Sequence, residues 1–166
     1  SIKLLGGVDE IGSNMTVFET AKEYFIIDYG ILFPSDEVFD INYLIVDYSD
    51  LDPKKKTTLF ISHGHEDHIG AITHIVNYFF NFKVYSPEFA ANLIRKKLLQ
   101  RKLTCPIKIY TDADVINFDG FKVHPIHVTH SIPQTHGVVI TGKGISVLFI
   151  SDFKFDLNPI VSEISA

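Results

Sequence analysis

The residues with the clearest chemical potential lie in one short segment, His63-Gly64-His65-Glu66-Asp67-His68. Histidine and aspartate side chains are common ligands of zinc and manganese in proteins. On a loop between a strand and a helix, the alternate residues His63 and His65 can point to one metal. Asp67 and His68, where the chain turns into the helix, can reach a second metal beside it. The spacing indicates a metal centre with coordination positions left open for water.

The competing interpretation of this segment is structural. The histidines would then be ordinary polar loop residues, and Asp67 would cap the helix that follows. That interpretation requires a separate coincidence at each of four positions, because three histidines and one aspartate all have metal-binding side chains at compatible spacing. The sequence therefore favours the metal centre.

Further ligand-type residues end three predicted strands. Asp28, His130 and Asp152 each follow a predicted β-strand, closely enough to lie at its end. Ligands from the same ends of neighbouring strands converge on one edge of a sheet, so these side chains are expected near the histidine segment. Asp152 is the natural carboxylate to bridge two metals. Its structural alternative is an aspartate that begins a turn.

Short β-strands make up most of the remaining sequence. Nine β-rich runs, most of them separated by turn residues, are predicted to be strands: 2–5, 15–19, 24–27, 57–61, 83–85, 107–110, 121–129, 137–141 and 146–150. Asp119-Gly120 and Gly142-Lys143-Gly144 are hairpin signals. An antiparallel meander is therefore expected over the last strands.

Helical spacing appears twice. Apolar residues recur on one face from about Ile69 to Phe80. A second helix is expected to begin at Ser86-Pro87-Glu88, with Ser86 as its N-cap. The residues predicted to face inward are Phe89, Ala90, Leu93, Ile94 and Leu98. Basic residues form the outer face, which is read as solvated, with a phosphate contact as the alternative: Arg95, Lys96, Lys97, Arg101 and Lys102. Strands with helices on their outer faces make an α+β arrangement.

Composition narrows the class of protein. A chain of 166 residues, 46% hydrophobic and 21% charged, is typical of one globular domain rather than of a disordered protein. Its single cysteine, Cys105, cannot form an internal disulfide, and no signal peptide is recognisable. Apolar runs are of strand length, which argues against a membrane protein. These features favour a cytoplasmic location. The net charge of −5 argues against a uniformly basic nucleic-acid surface but leaves room for a local groove.

Taken in order, the candidate ligands resemble the motifs of the metallo-β-lactamase superfamily. Four stretches narrow the resemblance to the ribonuclease J family: 6–14 (GGVDEIGSN), 61–71 (ISHGHEDHIGA), 129–133 (THSIP) and 152–156 (DFKFD). The six-residue segment 63–68 alone is shared by lactamases, glyoxalases, lactonases and many nucleases, whereas the last two stretches are much more specific. The resemblance runs from the first residues to about Pro159.

The resemblance implies a fold and a set of site roles. The fold would be an αββα sandwich. One metal would be held by His63, His65 and His130, the other by Asp67 and His68, and Asp152 would bridge both. Asp67, His68 and Asp152 would carry the catalysis, and Asp28 would orient the cluster without binding metal. Ser131 would contact a substrate phosphate, with a turn role before Ile132-Pro133 as an equal alternative.

The resemblance also implies an activity. Two divalent metals, zinc or alternatively manganese, would serve hydrolysis of RNA, by 5′-to-3′ exonuclease and endonuclease action. RNA would be the substrate, and a homodimer or a larger RNA-decay assembly the expected partner state. Two other functions stay open: hydrolysis of a small ester or thioester, and metal binding without turnover. Activity on RNA, activity on an ester, or metal binding alone distinguishes the three.

The chain departs from the family pattern at several points. Ribonuclease J enzymes insert a β-CASP domain after the Asp-Phe-Lys-Phe-Asp stretch and then complete the metallo-β-lactamase domain with further strands and another histidine ligand. Residues 1–166 are therefore expected to be the N-terminal part of such a domain. Ser151 stands where glycine is usual, and His136 where the residue is more often apolar. Neither change removes a predicted ligand.

Overall fold

The computed structural model describes residues 1–34 and 40–156, so residues 157–159, at the end of the resemblance, lie outside it. Its strands are β1 (Ile2–Gly6), β2 (Met15–Glu19), β3 (Glu23–Ile27), β4 (Ile31–Leu32), β5 (Leu44–Ile45), β6 (Lys56–Phe60), β7 (Phe82–Ser86), β8 (Ile107–Ile109), β9 (Ile116–Phe118), β10 (Phe121–Val128), β11 (Thr135–Gly142) and β12 (Ile145–Phe149). Its helices are α1 (Glu66–Ile69), α2 (Ile72–Ile75) and α3 (Glu88–Gln100).

The first sheet is mixed and has the strand order β1-β2-β3-β6-β7-β8. Its first three strands pair antiparallel, whereas β3, β6, β7 and β8 pair parallel. Residues 57–60 of the central strand β6 are all buried, as expected for a parallel strand covered on both faces. Leu59 faces the helices and Phe60 faces the second sheet. The histidine segment thus begins where a fully buried strand ends.

The second sheet is the predicted antiparallel meander, with the order β12-β11-β10-β9. Its inner face carries Val123, Val138 and Ile140, each nearly inaccessible to solvent. On its outer face Leu148 and Ile126 are 59% and 38% exposed. Side chains alternate between the two faces because the period of a strand is two residues.

Two hydrophobic cores hold these layers together. One joins the helices to the first sheet and includes Ile26, Leu59, Ile72 and Ile94. The other fills the space between the two sheets, where Phe60 stacks on Tyr110 with ring centroids 4.5 Å apart. Beside the short β4–β5 pair, the described residues therefore form a helix layer and two large sheets, which are three layers of an αββα sandwich. This arrangement confirms the predicted α+β class and its partial form.

The helix predicted from Ile69 to Phe80 is wrong in its extent. The chain forms two short helices there, α1 and α2, and α1 begins inside the histidine segment. The amide of Ala71 donates to the carbonyl of Tyr29, because the carbonyl of Asp67 already accepts hydrogen bonds from Asn14. Tertiary hydrogen bonds thus interrupt the helix that the apolar pattern favours.

Details of α3 also differ from the prediction. Its N-cap is Pro87 and it has no side-chain cap, since the Ser86 hydroxyl donates to the carbonyl of Pro87. Phe89 was predicted to face inward but is 40% exposed. Ala90, Ile94 and Leu98 are buried as predicted. None of the helices in the described ranges is long and apolar enough to span a bilayer.

Candidate metal centre

Three imidazole nitrogens converge at the exit of β6. His63 Nε2 lies 3.0 Å from His65 Nδ1, and His130 Nε2 lies 3.2 Å from the same atom. Two nitrogens bound to a tetrahedral zinc with bonds of ~2.0–2.1 Å are about 3.3 Å apart. The three rings are therefore spaced like ligands of one ion.

The Asp152 carboxylate lies between this group and a second one. Its Oδ2 is 3.6 Å from His130 Nε2 and 3.6 Å from His68 Nε2. Two groups of potential ligands share it, and within each group the ligand atoms lie within 4.8 Å of one another: His63, His65, His130 and Asp152 in one, and Asp67, His68 and Asp152 in the other. The structure thus brings together all six residues that the sequence nominated as ligands, and their imidazole and carboxylate donors suit a divalent cation.

The buried carboxylate of Asp28 orients His68. Both side chains are about 1–2% exposed, and His68 Nδ1 donates to Asp28 Oδ2 at 2.8 Å. With Nδ1 donating to Asp28, the ring presents Nε2 toward Asp67 and Asp152. This placement fits the orienting role expected of Asp28.

Ser62 extends the same network to the first group. Its amide and hydroxyl each donate to Asp28 at 2.7 Å, so the hydroxyl oxygen is left to accept from His63 Nδ1 at 2.9 Å. His63 therefore also keeps Nε2 free for a ligand. Ser151 lies 3.3 Å from the Ser62 hydroxyl and joins this network.

Asn14 lies in the site, although the sequence alone predicts no role for it. Its Nδ2 donates to the carbonyl of Asp67 at 3.0 Å and lies 3.3 Å from Asp67 Oδ2. The same atom is 3.1 Å from His68 Nε2. The position at the end of the glycine-rich 6–14 stretch was the signal available in the sequence. Ser62, the other residue missed, directly precedes the histidine segment.

Gly30 allows the segment between β3 and β4 to lie directly against the histidine segment. A Cβ at this position would collide with the carbonyl of Asp67 and crowd the His68 amide. Backbone hydrogen bonds fix the same contact, because the Tyr29 amide donates to the His68 carbonyl at 2.8 Å. The histidine segment is thus held by the chain after β3 as well as by its own helix.

Charge in the site is dominated by carboxylates. Burial works against a charged His68, yet Asp28, Asp152 and Asp67 outweigh it and raise the His68 pKa to about 11. The hydrogen bond with His68 is the main cause that lowers the pKa of Asp152 to about 2. A divalent cation would satisfy the same carboxylates and displace the Nε2 proton of His68.

The histidines of the first ligand group have lowered pKa values, in contrast to His68. Burial, reinforced by the nearby His68, lowers the pKa of His63 to about 4, and burial also lowers the pKa of His130. Both rings are therefore neutral at neutral pH, which is the protonation state that binds metal. Ser131 follows His130 and is exposed in the turn. Its contact with a substrate phosphate stays a prediction.

Comparison with known proteins identifies the superfamily. Residues 8–161 match the family profile of the metallo-beta-lactamase superfamily. The chain belongs to the metallo-β-lactamase superfamily. This fold implies divalent metal binding, and the two ligand groups around Asp152 are where the described residues could hold it.

Relatives of this chain include proteins named ribonuclease J. The chain is 36% identical over 159 residues to ribonuclease J of Mycoplasma genitalium, a match that covers 93% of this chain and 28% of that protein. It is 38% identical over 162 residues to ribonuclease J 1 of Streptococcus pyogenes serotype M3, covering 94% and 28% respectively. The resemblance drawn from the motifs is thereby confirmed. The chain spans about 28% of the length of these relatives.

A solved structure supports the metallo-β-lactamase fold independently. The metallo-beta-lactamase fold protein YhfI from Bacillus subtilis superposes with a TM-score of 0.66 at 14% sequence identity. The alignment covers 91% of this chain and 61% of that one. At so low an identity the likeness shows the shared fold alone.

Proposed function

We propose that this chain supplies the metal centre of an RNA-cleaving hydrolase of the ribonuclease J type. The observation that carries the proposal is the Asp152 carboxylate, which two donor groups share. Sites with two ions about 3.5–4 Å apart are typical of enzymes that cleave phosphodiesters by in-line displacement. The name of the relatives adds support for RNA as the substrate.

The proposed ligand set follows the two groups. His63, His65 and His130 would hold one ion, Asp67 and His68 the other, with Asp152 between them. We propose zinc, because the imidazole nitrogens lie 3.0–3.2 Å apart as tetrahedral zinc ligands do. Manganese is the alternative for the same donors. When bound, the ions would supply Lewis acidity, lowering the pKa of water and neutralising the scissile phosphate.

The protein's own groups would orient and balance this chemistry. Asp28 keeps a proton on His68 Nδ1, which leaves Nε2 as a donor atom for metal. Asn14 holds the Asp67 carboxylate toward the site. In the hydrolysis, the bond from the water oxygen to phosphorus forms as the bond to the leaving sugar oxygen breaks. We propose that Asp67 and Asp152 take the proton of that water and return it to the leaving sugar oxygen, and that Ser131, beside the proposed ligand His130, donates to the phosphate.

The wider setting follows from the same proposal. We infer both 5′-to-3′ exonuclease and endonuclease action, a cytoplasmic location, and a homodimer or larger RNA-decay assembly for the whole protein. The single cysteine is consistent with a reducing compartment.

The experiment is an assay of the full-length protein that carries this sequence. Metal content is measured by elemental mass spectrometry, and cleavage is followed on a single-stranded RNA with a 5′-monophosphate. A small thioester and a lactone are tested in parallel. Asp152→Asn serves as the site variant, and Asp50→Asn, an exposed aspartate in a loop, serves as its matched control.

Two ions per chain, with RNA cleavage that a chelator and Asp152→Asn abolish, are expected. Cleavage of the ester substrates but not of RNA would replace the proposal with a small-molecule hydrolase. Metal bound without any turnover would reduce the chain to a metal-binding protein. RNA cleavage unchanged in Asp152→Asn would overturn the assigned centre.

A further inference from the structure

A cavity lies beside the candidate metal centre. It has a volume of about 270 Å³, and its lining includes Tyr110, Asp112, His127, Gln134 and His136. The segment from His130 to His136 separates it from the metal ligands, since His130 faces them and the later residues face the cavity. None of the proposed metal ligands contributes to its lining.

Hydrogen bonds tie this cavity rigidly to the histidine segment. The His136 amide donates to the Ser62 carbonyl at 3.0 Å. The Tyr110 hydroxyl donates to the Ile61 carbonyl at 2.8 Å. Gln134 Oε1 accepts from the Phe89 amide at the start of α3, 2.8 Å away. The walls of the cavity are thus fixed to the two residues that directly precede His63.

Aromatic rings form much of the lining. The Tyr110 and His136 centroids are 5.1 Å apart with planes at 71°, and the His127 and His136 centroids are 5.8 Å apart at 81°. Tyr110 and His136 are buried, whereas His127 is half-buried and offers a stacking surface to a flat heteroaromatic ligand, as rings do in proteins that bind single-stranded RNA. The volume is slightly below the range of about 300–1,000 Å³ typical of drug-sized ligand pockets, so it suits one ring system.

The polar groups of the cavity select among ring systems. His136 Nδ1 donates to the Gln134 carbonyl at 3.0 Å, and burial lowers the pKa of this imidazole to about 4. The ring is therefore neutral at pH 7 and keeps an acceptor lone pair on Nε2. The Asp112 carboxylate is a second acceptor. The amide nitrogen of Gln134 is a donor, because its oxygen is already engaged.

Two acceptors and a donor complement a base edge that carries an amino group beside a ring nitrogen. Adenine and cytosine have such an edge, whereas uracil presents carbonyl oxygens. A phosphate is a poor ligand here, because the carboxylate of Asp112 repels it and the buried His136 is uncharged.

We propose that this cavity binds the base of a nucleotide close to the scissile phosphate and prefers adenine and cytosine. The inference rests on the proposed function, because it takes RNA as the substrate. The base and the phosphate would lie on either side of the turn that carries His130, so the cavity would set which nucleotide is placed at the metal centre.

The first test is direct binding of nucleosides, which requires no cleavage. Adenosine and uridine are titrated into the metal-loaded full-length protein, and dissociation constants are read from the NMR signals of the histidine rings. Adenosine is expected to bind more tightly. His136→Phe should weaken adenosine roughly two- to tenfold, the loss for one net hydrogen bond, and leave uridine nearly unchanged. His136→Gln, which retains an acceptor, should restore part of the difference.

A matched control is His124→Phe, on the neighbouring strand β10 at a position that does not line the cavity. Its dissociation constants should equal those of the wild type, and thermal melting checks that each variant folds. Equal affinity for the two nucleosides, no binding of adenosine at millimolar concentration, or equal effects of His124→Phe and His136→Phe would each overturn the cavity as a base site.

The second test separates this inference from the proposed function. RNA oligonucleotides with one abasic position at a time are cleaved by the wild type and by His136→Phe. An abasic nucleotide at one position near the cut should lower kcat/KM of the wild type. The same abasic nucleotide should leave kcat/KM of His136→Phe unchanged. Cleavage that no abasic position affects refutes the base site and leaves the ribonuclease proposal standing. Adenosine binding without any RNA cleavage would refute the ribonuclease proposal and leave the base site standing.

Discussion

His68 and Asp28 form a buried pair in which the imidazole Nδ1 donates to the carboxylate at 2.8 Å. The ring must therefore present Nε2 to Asp67 and Asp152, whichever ion or proton lies between them. Ser62 binds the same carboxylate through its amide and its hydroxyl. One aspartate outside both ligand groups thus sets the orientation of ligands on both sides of the site.

Asp28→Asn should weaken metal binding by roughly 10–100-fold, the usual effect of removing an outer partner of a histidine ligand. The amide lacks the charge that favours a proton on His68 Nδ1, so the ring can adopt the tautomer that blocks Nε2. Competition with a metal-binding dye measures the affinity. The exposed Asp50→Asn is the control and should match the wild type. An unchanged affinity in Asp28→Asn would show that the pair is only structural.

His65→Ala should lower metal occupancy by more than an outer-partner change does, while the fold stays largely intact. Its Nδ1 is the atom that both His63 and His130 approach within 3.0–3.2 Å. The loop that contains His65 follows β6, and the hydrogen bond from the Tyr29 amide to the His68 carbonyl supports it from the chain after β3. Elemental mass spectrometry and circular dichroism give the two readouts. His124→Ala, away from both ligand groups, is the matched control, and full metal content in His65→Ala would remove this residue from the centre.

Asp152→Ala should affect the two proposed metal positions unequally. The group of three histidines keeps its imidazole donors, whereas Asp67 and His68 alone are a weak pair. Calorimetric titration is therefore expected to show one retained site and one of much lower affinity. Asp50→Ala should show two unchanged sites. Two sites of wild-type affinity in Asp152→Ala would exclude a bridging role for this carboxylate.

Glu19→Gln tests a pH-dependent contribution far from the metal centre. Glu19 accepts from Lys3 at 2.9 Å and Lys55 at 2.7 Å, and these hydrogen bonds lower its pKa from 4.5 to about 2. A carboxylate with a lowered folded-state pKa stabilises the protein fully above its unfolded pKa and loses this effect as the pH falls through the folded value.

The variant should therefore unfold at slightly lower urea concentration than the wild type at pH 7. The gap should narrow as the pH falls from 4.5 toward 2. Only a small effect is expected because the group is partly exposed. Glu10→Gln serves as the control, since the described residues include no lysine or arginine paired with Glu10. A gap that stays constant with pH would assign the effect of Glu19→Gln to packing.

Much of the fold follows from the sequence pattern, because strands and helices bury apolar residues at distinct periods. All nine predicted strands are present with small shifts at their ends. The strands that were missed, β4 and β5, have two residues each, too short for any alternation to be visible. β9 is anticipated only through the hairpin signal at Asp119-Gly120.

The errors arise where tertiary contacts override local preference. The helix expected over 69–80 is broken because the amide of Ala71 bonds to Tyr29, a residue of another segment. Asn14 and Ser62 were missed for the same reason, since their importance depends on neighbours brought together by folding. The six candidate ligands were found because their residue types are rare outside such sites at this spacing. Their binding of metal stays a prediction.

The candidate ligands come from both sheets: His63 and His65 follow β6 in the first, whereas His130 and Asp152 follow β10 and β12 in the second. An ion held by both sheets binds the folded state alone, and at 100 times its dissociation constant such a ligand adds about 2.7 kcal/mol of stability. Metal supply would then govern abundance as well as catalysis. Starved of the ion, the protein would populate its unfolded state more often and would be degraded faster.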